Sequence, residues 1–423
     1  SGPSMAGVKT CARLSPRLSP HTPLTRLRIF HTQGARCSSS TTDAPTPAHA
    51  TFKASDLQID FCRPEQLRSK PPVKELLFGK SFTDHMLKIY YTKDAGWGAP
   101  RITPLQDLRL HPAAKVLHYS VELFEGMKAF RGVDDEIRLF RPEMNMARMN
   151  RTAARSALPT FDGGELVTLL KKLVNVDQEW VPHTESSSLY IRPTMIGTEP
   201  TLGVVRPAEA LLFVILSPVG PYFASGFKPV SLLADPRYVR AWPGGVGMMK
   251  MGSNYGPTLE IQRQAEQQGC QQVLWLFGPE HRITEVGAMN IMVYLVNKQG
   301  EKELVTPPLD GLILPGVTRD SLLTLARRWG EFRVSERDIT MGEVEEASEE
   351  GRLLEMFGAG TAAVVTPVGE IHYQGRVIRV AGETEDPGQG KEQEVSLAQR
   401  FYNTITGIQY GKTESDWAVK IDS

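Results

Sequence analysis

A segment without helical or strand periodicity divides this chain near its middle. Ser217 to Pro229 contains prolines and glycines that interrupt regular structure: Pro218, Gly220, Pro221, Gly226 and Pro229. A chain of 423 residues is also longer than one ordinary hydrophobic core supports. We therefore predict two domains, residues 51–217 and 230–423, joined by a Pro/Gly-rich linker at 218–229.

Helical and strand-like patterns alternate on both sides of this linker. Before it, apolar residues recur at helical spacing in two segments, and short apolar runs typical of strands occupy three others: 144–157 and 165–176, then 138–140, 189–193 and 210–216. After it, the same patterns predict three strands and three helices: 230–234, 272–277 and 290–296, then 257–269, 319–329 and 395–408. We expect an α/β or α+β chain without internal repeats.

The overall composition argues against several classes of partner. Basic residues number 48 and acidic residues also number 48, so no net charge attracts nucleic acid or an anionic membrane. The most apolar run, Ala210 to Leu216, is far shorter than the roughly 20 residues of a membrane span. The four cysteines lack the spacing of a zinc or redox site. We expect a soluble protein that acts on small molecules and binds no metal, nucleic acid or membrane.

The first 50 residues differ in composition from the rest of the chain. They contain many Ser, Thr and Pro residues, a single acid, Asp43, and these basic residues: Lys9, Arg13, Arg17, Arg26, Arg28 and Arg36. An Arg-rich, Ser-rich and acid-poor leader is typical of a mitochondrial transit peptide. We therefore predict that residues 1–50 direct the protein to the mitochondrial matrix. A disordered tail or a basic nucleic-acid arm is the alternative.

The most specific motif is a lysine within a glycine-rich run. Lys250 follows Gly244, Gly245 and Gly247 and precedes Gly252, with methionines on both sides. Glycines let backbone approach a ligand closely, and apolar neighbours favour the neutral amine that forms a Schiff base. The motif predicts a lysine that holds pyridoxal phosphate. The alternative is a surface lysine in a glycine loop.

A carboxylate farther along the chain supports this interpretation. Glu285 stands just before the apolar run Ile291 to Val296, so we expect it to be buried and to need a partner. A carboxylate beside a pyridine nitrogen keeps that nitrogen protonated and makes the ring an electron sink. The alternative is a solvated acid at the end of a strand.

Three further features are suited to a phosphate group. Residues 316–318 lead into the predicted helix 319–329, whose N-terminus offers free backbone N–H groups and a positive dipole end. A second turn of this kind, 358–362, adds a hydroxyl group, and Arg148 adds a cation. Each signal is weak alone because such features are common, but with Lys250 they predict one cofactor site.

Longer motifs carry a resemblance to a known family. The chain resembles the branched-chain amino acid aminotransferases, fold-type-IV pyridoxal phosphate enzymes, from about Phe78 to Trp417. The resemblance rests on four segments: 78–86 (FGKSFTDHM), 118–130 with its LFEGMKAF run, 244–257 around the lysine, and 314–317 (LPGV). With the leader, the chain is more similar to the mitochondrial than to the cytosolic members.

The resemblance implies a role for each residue of the cofactor site. Lys250 would form the Schiff base with pyridoxal phosphate and then carry a proton between substrate and cofactor. Tyr255 would bond the phenolate oxygen of the ring, and Glu285 its nitrogen. The phosphate group would be held by Arg148, Val317, Thr318 and Thr361.

The resemblance also implies a pocket for the side chains of leucine, isoleucine and valine in a homodimer. The matching residues are Phe78, Tyr119, Phe124, Tyr190 and Ala362, with Leu202 and Val204 contributed by a second subunit. Such a pocket excludes water and suits an aliphatic side chain. Arg192 matches the cation that meets the distal carboxylate of glutamate or 2-oxoglutarate. A structural ion pair is the alternative for Arg192.

Three departures from the family pattern are visible. Ala363 to Thr366 stands where mammalian members have a Cys-x-x-Cys pair, so thiol switching is not expected here. Ala288 replaces a threonine near the substrate, which puts one hydrogen bond to the substrate carboxylate in doubt. Met292 replaces a Phe or Tyr, with an expected effect on packing more than on chemistry.

The leading hypothesis is a ping-pong transfer of the amino group from L-leucine, L-isoleucine or L-valine to 2-oxoglutarate. A second hypothesis keeps the cofactor and changes the substrate, as in D-amino acid transaminases or aminodeoxychorismate lyase. A third is a non-catalytic pyridoxal phosphate carrier or binding protein. The preference among the three amino acids and the role of the loop 382–394 are not predicted.

Overall fold

The computed structural model describes residues 51–221, 227–380 and 395–421. The predicted transit peptide 1–50 and the loop 382–394 lie outside these residues, as does part of the predicted linker 218–229. Within the described ranges, no helix has the length and apolar character that crossing a lipid bilayer requires.

The first half of the chain forms a sheet whose centre is a long antiparallel pair. Its strands are β1 (Gln58–Ile59), β2 (His85–Thr92), β3 (Gly96–Trp97), β4 (Arg101–Pro104), β5 (Glu122–Phe124), β6 (Met127–Arg131), β7 (Ile137–Phe140), β8 (Ser188–Gly197) and β9 (Glu209–Val219). The order is β1-β4-β2-β9-β8-β6-β7, with β3 on β2 and β5 on β8. β8 and β9 pair over ten positions, and nearly every residue of β8 is buried. Because side chains on both faces of β8 are buried, apolar residues follow one another at 189–191 and do not alternate with polar residues.

Helices cover one face of this sheet. They are α1 (Lys115–Tyr119), α2 (Pro142–Arg155) and α3 (Gly163–Val176). α3 begins at Gly163 because the carboxylate of Asp162 accepts hydrogen bonds from the N–H groups of Gly164 and Glu165. Its buried side chains pack into the core beneath the sheet: Leu166, Leu169, Leu170 and Leu173. The predictions of helices at 144–157 and 165–176 are confirmed, with starts two residues earlier.

The second half forms a separate mixed sheet. Its strands are β10 (Val230–Ala234), β11 (Gln272–Phe277), β12 (Arg282–Val286), β13 (Met289–Val296), β14 (Lys302–Thr306), β15 (Arg333–Glu336), β16 (Leu353–Gly360), β17 (Val364–Tyr373) and β18 (Arg376–Arg379). The order is β12-β11-β10-β17-β16-β13-β14-β15, with β18 on β17 and a further pairing of β12 with β13. The predicted strands at 230–234 and 272–277 are confirmed, and the strand predicted at 290–296 starts one residue earlier.

Four helices accompany the second sheet: α4 (Leu259–Gln267), α5 (Val317–Trp329), α6 (Met341–Glu349) and α7 (Leu397–Gln409). The helix predicted to start at Pro257 begins instead with a 3-10 turn, Gly256–Thr258, and becomes α-helical at Leu259. The helix predicted from Val395 starts two residues later because the hydroxyl of Ser396 caps it. α6 was not predicted, since its short acidic sequence has weak apolar periodicity.

A shared hydrophobic core joins the two sheets. Phe130 and Phe140 from the first sheet pack with Met292 and Phe357 from the second and with Phe401 of α7. The end of the chain also returns to the first sheet, where β19 (Ala418–Lys420) pairs antiparallel with β7. Consequently, residues from both halves of the chain meet along one junction, where the candidate site lies.

Candidate functional site

A cavity of about 650 Å³ opens at the junction of the two sheets. Most of the residues predicted for the site line it: Phe78, Phe124, Arg148, Tyr190, Arg192, Lys250, Tyr255, Val317, Thr318, Thr361 and Ala362. Ala288 lines it as well, at the position where a family threonine is replaced. The volume is that of a pocket for a cofactor-sized organic molecule.

The backbone of Lys250 is held by hydrogen bonds to α2 and β5. Its backbone N–H donates to Thr152 Oγ1 of α2 at 3.1 Å, and its carbonyl accepts from the N–H of Phe124 at 3.1 Å. Its ammonium Nζ donates to the hydroxyl of Tyr255 at 3.1 Å and lies 4.6 Å from the centre of the Phe124 ring. The amine therefore points into the cavity with one hydroxyl partner and an aromatic wall.

Glu285 does not line the cavity itself but lies buried near it, within reach of the charges of Lys250 and Arg148. It lies within β12 and pairs with Asn290 of β13, which corrects the expectation that it merely precedes a strand. The side chain is 2% exposed, and its carboxylate accepts from Arg240 Nε and from the N–H of Leu314, both at 2.8 Å. Burial raises the pKa of Glu285, and the Arg240 cation opposes this shift.

The start of α5 presents free backbone donors to the cavity. Gly316 precedes the helix with no side-chain cap, so the N–H groups of Val317 and Thr318 begin an uncapped N-terminus. A methyl group at Gly316 would come within 2.1 Å of Asn290 Oδ1, so the close approach requires glycine. The helix N-terminus and its donors are suited to a phosphate group.

Arg148 completes this anion site from α2. Its Nε and Nη2 donate to the two oxygens of Glu125 at 2.7 and 2.8 Å, and its Nη1 donates to the carbonyl of Pro315 at 3.1 Å. Burial by itself would lower the pKa of Arg148, but the Glu125 carboxylate holds it above its ordinary value. Arg148 is thus a fixed cation beside the first turn of α5.

The second predicted phosphate-binding turn contains Thr361 and Ala362. It joins β16 to β17, so it is a strand-to-strand turn and not a helix start, which corrects the expectation of a second helix N-terminus. The carbonyl of Ala362 accepts a hydrogen bond from Lys128 Nζ at 2.7 Å. Burial lowers the pKa of Lys128 to about 8.

Aromatic rings and one arginine form the other wall of the cavity. Phe78 and Tyr190 meet edge to face with their centres 4.8 Å apart. The guanidinium of Arg192 lies over Phe124 at 4.6 Å and donates through Nη2 to the Tyr190 hydroxyl at 3.1 Å. Its Nε is buried without a partner among the described residues. Arg192 therefore keeps donor capacity for a ligand, which disfavours a purely structural ion pair.

Three predicted substrate residues do not reach the cavity of their own chain. Tyr119 donates its hydroxyl to the carbonyl of Leu202 at 2.6 Å, and both residues lie on the surface together with Val204. Leu202 and Val204 are 63% and 81% exposed. The structure thus groups Tyr119 with the two residues expected to act on a second subunit.

The residues that orient the site were not predicted from the sequence. Glu125 holds Arg148, Arg240 holds Glu285, and Asn290 donates to the carbonyl of Leu314 at 2.8 Å. Glu122 also lines the cavity. Glu125 lies in the LFEGMKAF run, so a charged residue inside an apolar strand pattern was the available signal. Among the described residues, no group of His, Cys, Asp and Glu side chains could hold a metal ion.

A family model matches this chain over much of its length. The model for amino-transferase class IV covers residues 122–371, which include the cavity-lining residues of the lysine segment, β13 and α5.

Two curated relatives are similar along almost the whole chain. The cytosolic branched-chain-amino-acid aminotransferase of Ovis aries is 56% identical over 88% of this chain and 94% of its own length. The mitochondrial branched-chain-amino-acid aminotransferase of Bos taurus is 53% identical over 88% of this chain and 93% of its own length.

The fold is also similar to a solved structure. The branched-chain amino acid aminotransferase of Thermobaculum terrenum, in its PLP form, superposes with a TM-score of 0.62 and 18% identity. The superposition covers 81% of this chain and all of the other.

Proposed function

The chain belongs to the class IV amino-transferase family, and from this premise we infer that it is a branched-chain-amino-acid aminotransferase. It transfers the amino group of leucine, isoleucine or valine to 2-oxoglutarate. The observation that carries this conclusion is a cavity with an aromatic wall that Lys250 lines, with the buried Glu285–Arg240 pair near it. The alternatives of another substrate class or a non-catalytic binding protein are not favoured, because the relatives that match along the whole chain are branched-chain enzymes.

The cofactor of this enzyme is pyridoxal phosphate, and the residues present fit it. When bound, it supplies an electron-withdrawing ring that stabilises negative charge at the substrate's alpha carbon. We propose that Lys250 holds it covalently, that Tyr255 and Glu285 bond its ring, and that the phosphate is held by Arg148, Val317, Thr318 and Thr361. The fit rests on the donor set: an uncapped helix N-terminus beside a buried arginine, and a buried carboxylate with its own cation.

The geometry also suggests how the chain's own groups act. We propose that Lys250 Nζ is the movable base, because its backbone is fixed at Thr152 and Phe124 while its amine has, among the described residues, one hydrogen-bond partner, the Tyr255 hydroxyl. We propose that this amine carries the proton that leaves the substrate's alpha carbon. Burial raises the pKa of Glu285 and the Arg240 cation opposes this shift, and we propose that the Glu285 carboxylate accepts a hydrogen bond from the ring nitrogen of the cofactor.

We propose that the aromatic wall selects the substrate side chain. Phe78, Phe124 and Tyr190 offer an apolar surface that suits an aliphatic chain, and Arg192 offers a cation for the distal carboxylate of the second substrate. One cavity thus accommodates both amino donors of the ping-pong cycle. Ala362, in the turn between β16 and β17, lines the same cavity and would also contact the substrate.

An absorption spectrum tests this function directly. We expect the purified holoprotein to absorb in the near-ultraviolet or violet and the band to shift when leucine is added. Lys250→Ala should lose this response, whereas Lys302→Ala, an exposed lysine in β14, should keep it. A spectrum that leucine leaves unchanged in the unmodified protein would contradict the assignment.

We also propose a homodimer, a mitochondrial location and a division into two domains. The exposed group of Tyr119, Leu202 and Val204 supports the dimer, because these side chains match the family's substrate pocket yet lie outside the cavity of their own chain.

The acid-poor leader 1–50 and a mitochondrial relative support import into mitochondria, which a reporter fused to residues 1–50 would test. The two sheets support the domain division, since the strands of the second all follow 218–229 and those of the first, apart from β19, begin before it. Cleavage confined to that segment in limited proteolysis would test it.

A further inference from the structure

Glu122 is an acidic residue of the cavity that the proposed chemistry does not use. It lies on β5, two positions before Phe124, and lines the cavity together with Arg192 and Lys250. Because alternate residues of a strand face the same side, Glu122 and Phe124 project toward the same wall. A carboxylate is unexpected in a pocket for aliphatic side chains, because burying a charge is unfavourable unless it has a partner or a function.

The carboxylate of Glu122 contacts the lysine segment. A methyl group built on Gly252 would come within 1.5 Å of Glu122 Oε1, so the oxygen lies directly against this glycine. The N–H of Gly252 helps to hold the carboxylate in its charged form. Glu122 is therefore fixed two residues from Lys250, and only glycine at 252 leaves room for it.

Arg192 is the cation of the same cavity, and the two charges do not form a direct ion pair. Among the described residues, Arg192 makes its side-chain hydrogen bond to the Tyr190 hydroxyl and leaves Nε without a partner. Its guanidinium and the Lys250 amine both lie 4.6 Å from the centre of the Phe124 ring. Glu122 and Arg192 thus share one partly enclosed space in which Coulomb interactions are weakly screened.

We propose that Glu122 is a specificity-determining residue that sets the preference for branched-chain over dicarboxylic amino acids. An ionised Glu122 offsets the charge of Arg192 and repels a second carboxylate, so glutamate is disfavoured. A branched aliphatic side chain carries no charge and is affected much less. The inference rests on the proposed function and on Arg192 as the site of the distal carboxylate.

The protonation of Glu122 gives the preference a pH dependence. Burial raises the pKa of Glu122, while Arg192 and the Gly252 N–H lower it. The other titratable groups that line the cavity are Lys250 and Tyr255 on the lysine segment, Tyr190 on β8 and Arg148 on α2. As pH rises through the pKa of Glu122, its carboxylate ionises, and reaction with glutamate should decline relative to leucine.

The experiment measures kcat/KM of the holoenzyme with leucine and with glutamate and takes their ratio. Effects on the shared amine chemistry cancel in this ratio, so it reports the side-chain pocket. We expect Glu122→Gln to raise the glutamate-to-leucine ratio about tenfold, because a full charge becomes an isosteric amide. Glu209→Gln, an exposed acid at the far end of β9, is the matched control and should leave the ratio within about twofold of its original value.

Two further measurements separate this inference from the proposed function. In an Arg192→Ala background, Glu122→Gln should change the ratio by less than tenfold, since the part of its effect that comes from offsetting Arg192 is absent and only the direct repulsion of the substrate carboxylate remains. If Glu122→Gln fails to hold the cofactor, the pH dependence of the unmodified enzyme still tests the inference. The ratio should be lower at pH values above the pKa of Glu122, which is raised from the ordinary carboxyl value, than at pH values below it. A ratio that is flat with pH, or unchanged in Glu122→Gln, overturns the role of Glu122. An enzyme that reacts with neither amino acid overturns the proposed function instead.

Discussion

Two buried charge pairs determine how the residues of this site are oriented. Glu125 accepts from Arg148 at 2.7 and 2.8 Å, and Glu285 accepts from Arg240 at 2.8 Å, all within the protein interior. Removing one partner of such a pair commonly costs about 3–5 kcal/mol, because the other charge is left buried and unpaired. Arg148 and Glu285, which we propose to bind the cofactor, therefore depend on partners that do not line the cavity.

Arg192 is the residue whose role kinetics can isolate. We expect Arg192→Ala to lower kcat/KM for glutamate by about thirtyfold, because a charge-assisted hydrogen bond contributes roughly 2 kcal/mol. The loss with leucine should be about fivefold or less, from the missing packing against Phe124. Steady-state assays with both amino acids check this, with Arg192→Lys as the variant that keeps the cation. Equal losses for both substrates would contradict the assignment.

Single residues were predictable to different degrees. Lys250 and Glu285 stand in local motifs whose composition already indicates a cofactor site. Arg240 and Glu125 could not be assigned roles from the sequence, because each acts through a partner distant along the chain. Glu125 and Arg148 are 23 positions apart and belong to β5's following loop and to α2. Nothing local in either segment specifies the other.

At the scale of elements, the start of α5 and the strand pair β12–β13 form one unit. Asn290 of β13 donates to the carbonyl of Leu314 just before α5, and Glu285 of β12 accepts from the N–H of Leu314. The helix N-terminus that is suited to phosphate is thereby tied to the carboxylate that is suited to the ring nitrogen. These bonds fix Glu285 relative to the start of α5, the two groups that would hold the two ends of the cofactor.

Gly316 is the position where this unit can be tested. A methyl group there would meet Asn290 Oδ1 at 2.1 Å and force it to shift. We expect Gly316→Ala to weaken binding of pyridoxal phosphate about tenfold or more and to destabilise the fold by about 1–3 kcal/mol. Cofactor titration and urea unfolding measure the two effects.

Gly342→Ala is the matched control for this substitution. Gly342 lies in α6 with only Thr340 Oγ1 near its missing side chain, at 3.8 Å. Its replacement should leave cofactor binding unchanged and stabilise the helix by roughly 0.5–1 kcal/mol. Equal behaviour of the two variants would contradict the role assigned to Gly316.

Elements with strong periodicity were predictable, and those defined by pairing were not. The helices α2, α3 and α5 and the strands β10 and β11 follow from their apolar patterns. β12 and β16 were missed because their sequences, RITEV and LLEMFGAG, contain Glu or Gly residues, which are depleted in strands. The glycines of β16 also led to the prediction of a helix start at Thr361, where the structure has a turn between two strands.

At the scale of the whole molecule, the surface around Leu202 has the features of an interface. Lys115 is fully buried and donates to the carbonyls of Gly203 and Val205, which fixes the loop that exposes Leu202 and Val204. A charged side chain buried to hold an exposed apolar loop is consistent with a loop that binds another protein surface.

Mixed dimers can show whether this loop acts on a second subunit. We expect Leu202→Asp combined with Val204→Asp to inactivate the enzyme, and Lys250→Ala to inactivate it independently. Co-expression of the two variants should restore about a quarter of normal activity, since random pairing leaves one competent site in half of the dimers. Val133→Asp, at an exposed apolar residue between β6 and β7, should remain active alone. No recovery in the mixture would contradict a site shared between subunits.

The sequence by itself determined the chemistry and the local elements of this protein. The lysine in its glycine run, the acid before an apolar stretch and the glycine before α5 are each short-range patterns. Only the tertiary structure decided which residues from the two halves meet. The cavity forms where β5, α2 and β8 approach β13, β16 and α5. Tyr119 lies on the surface, although residues close to it in sequence, such as Glu122 and Phe124, line the cavity. The physical reason is that packing and buried charge pairs depend on contacts between distant segments, which no local pattern encodes.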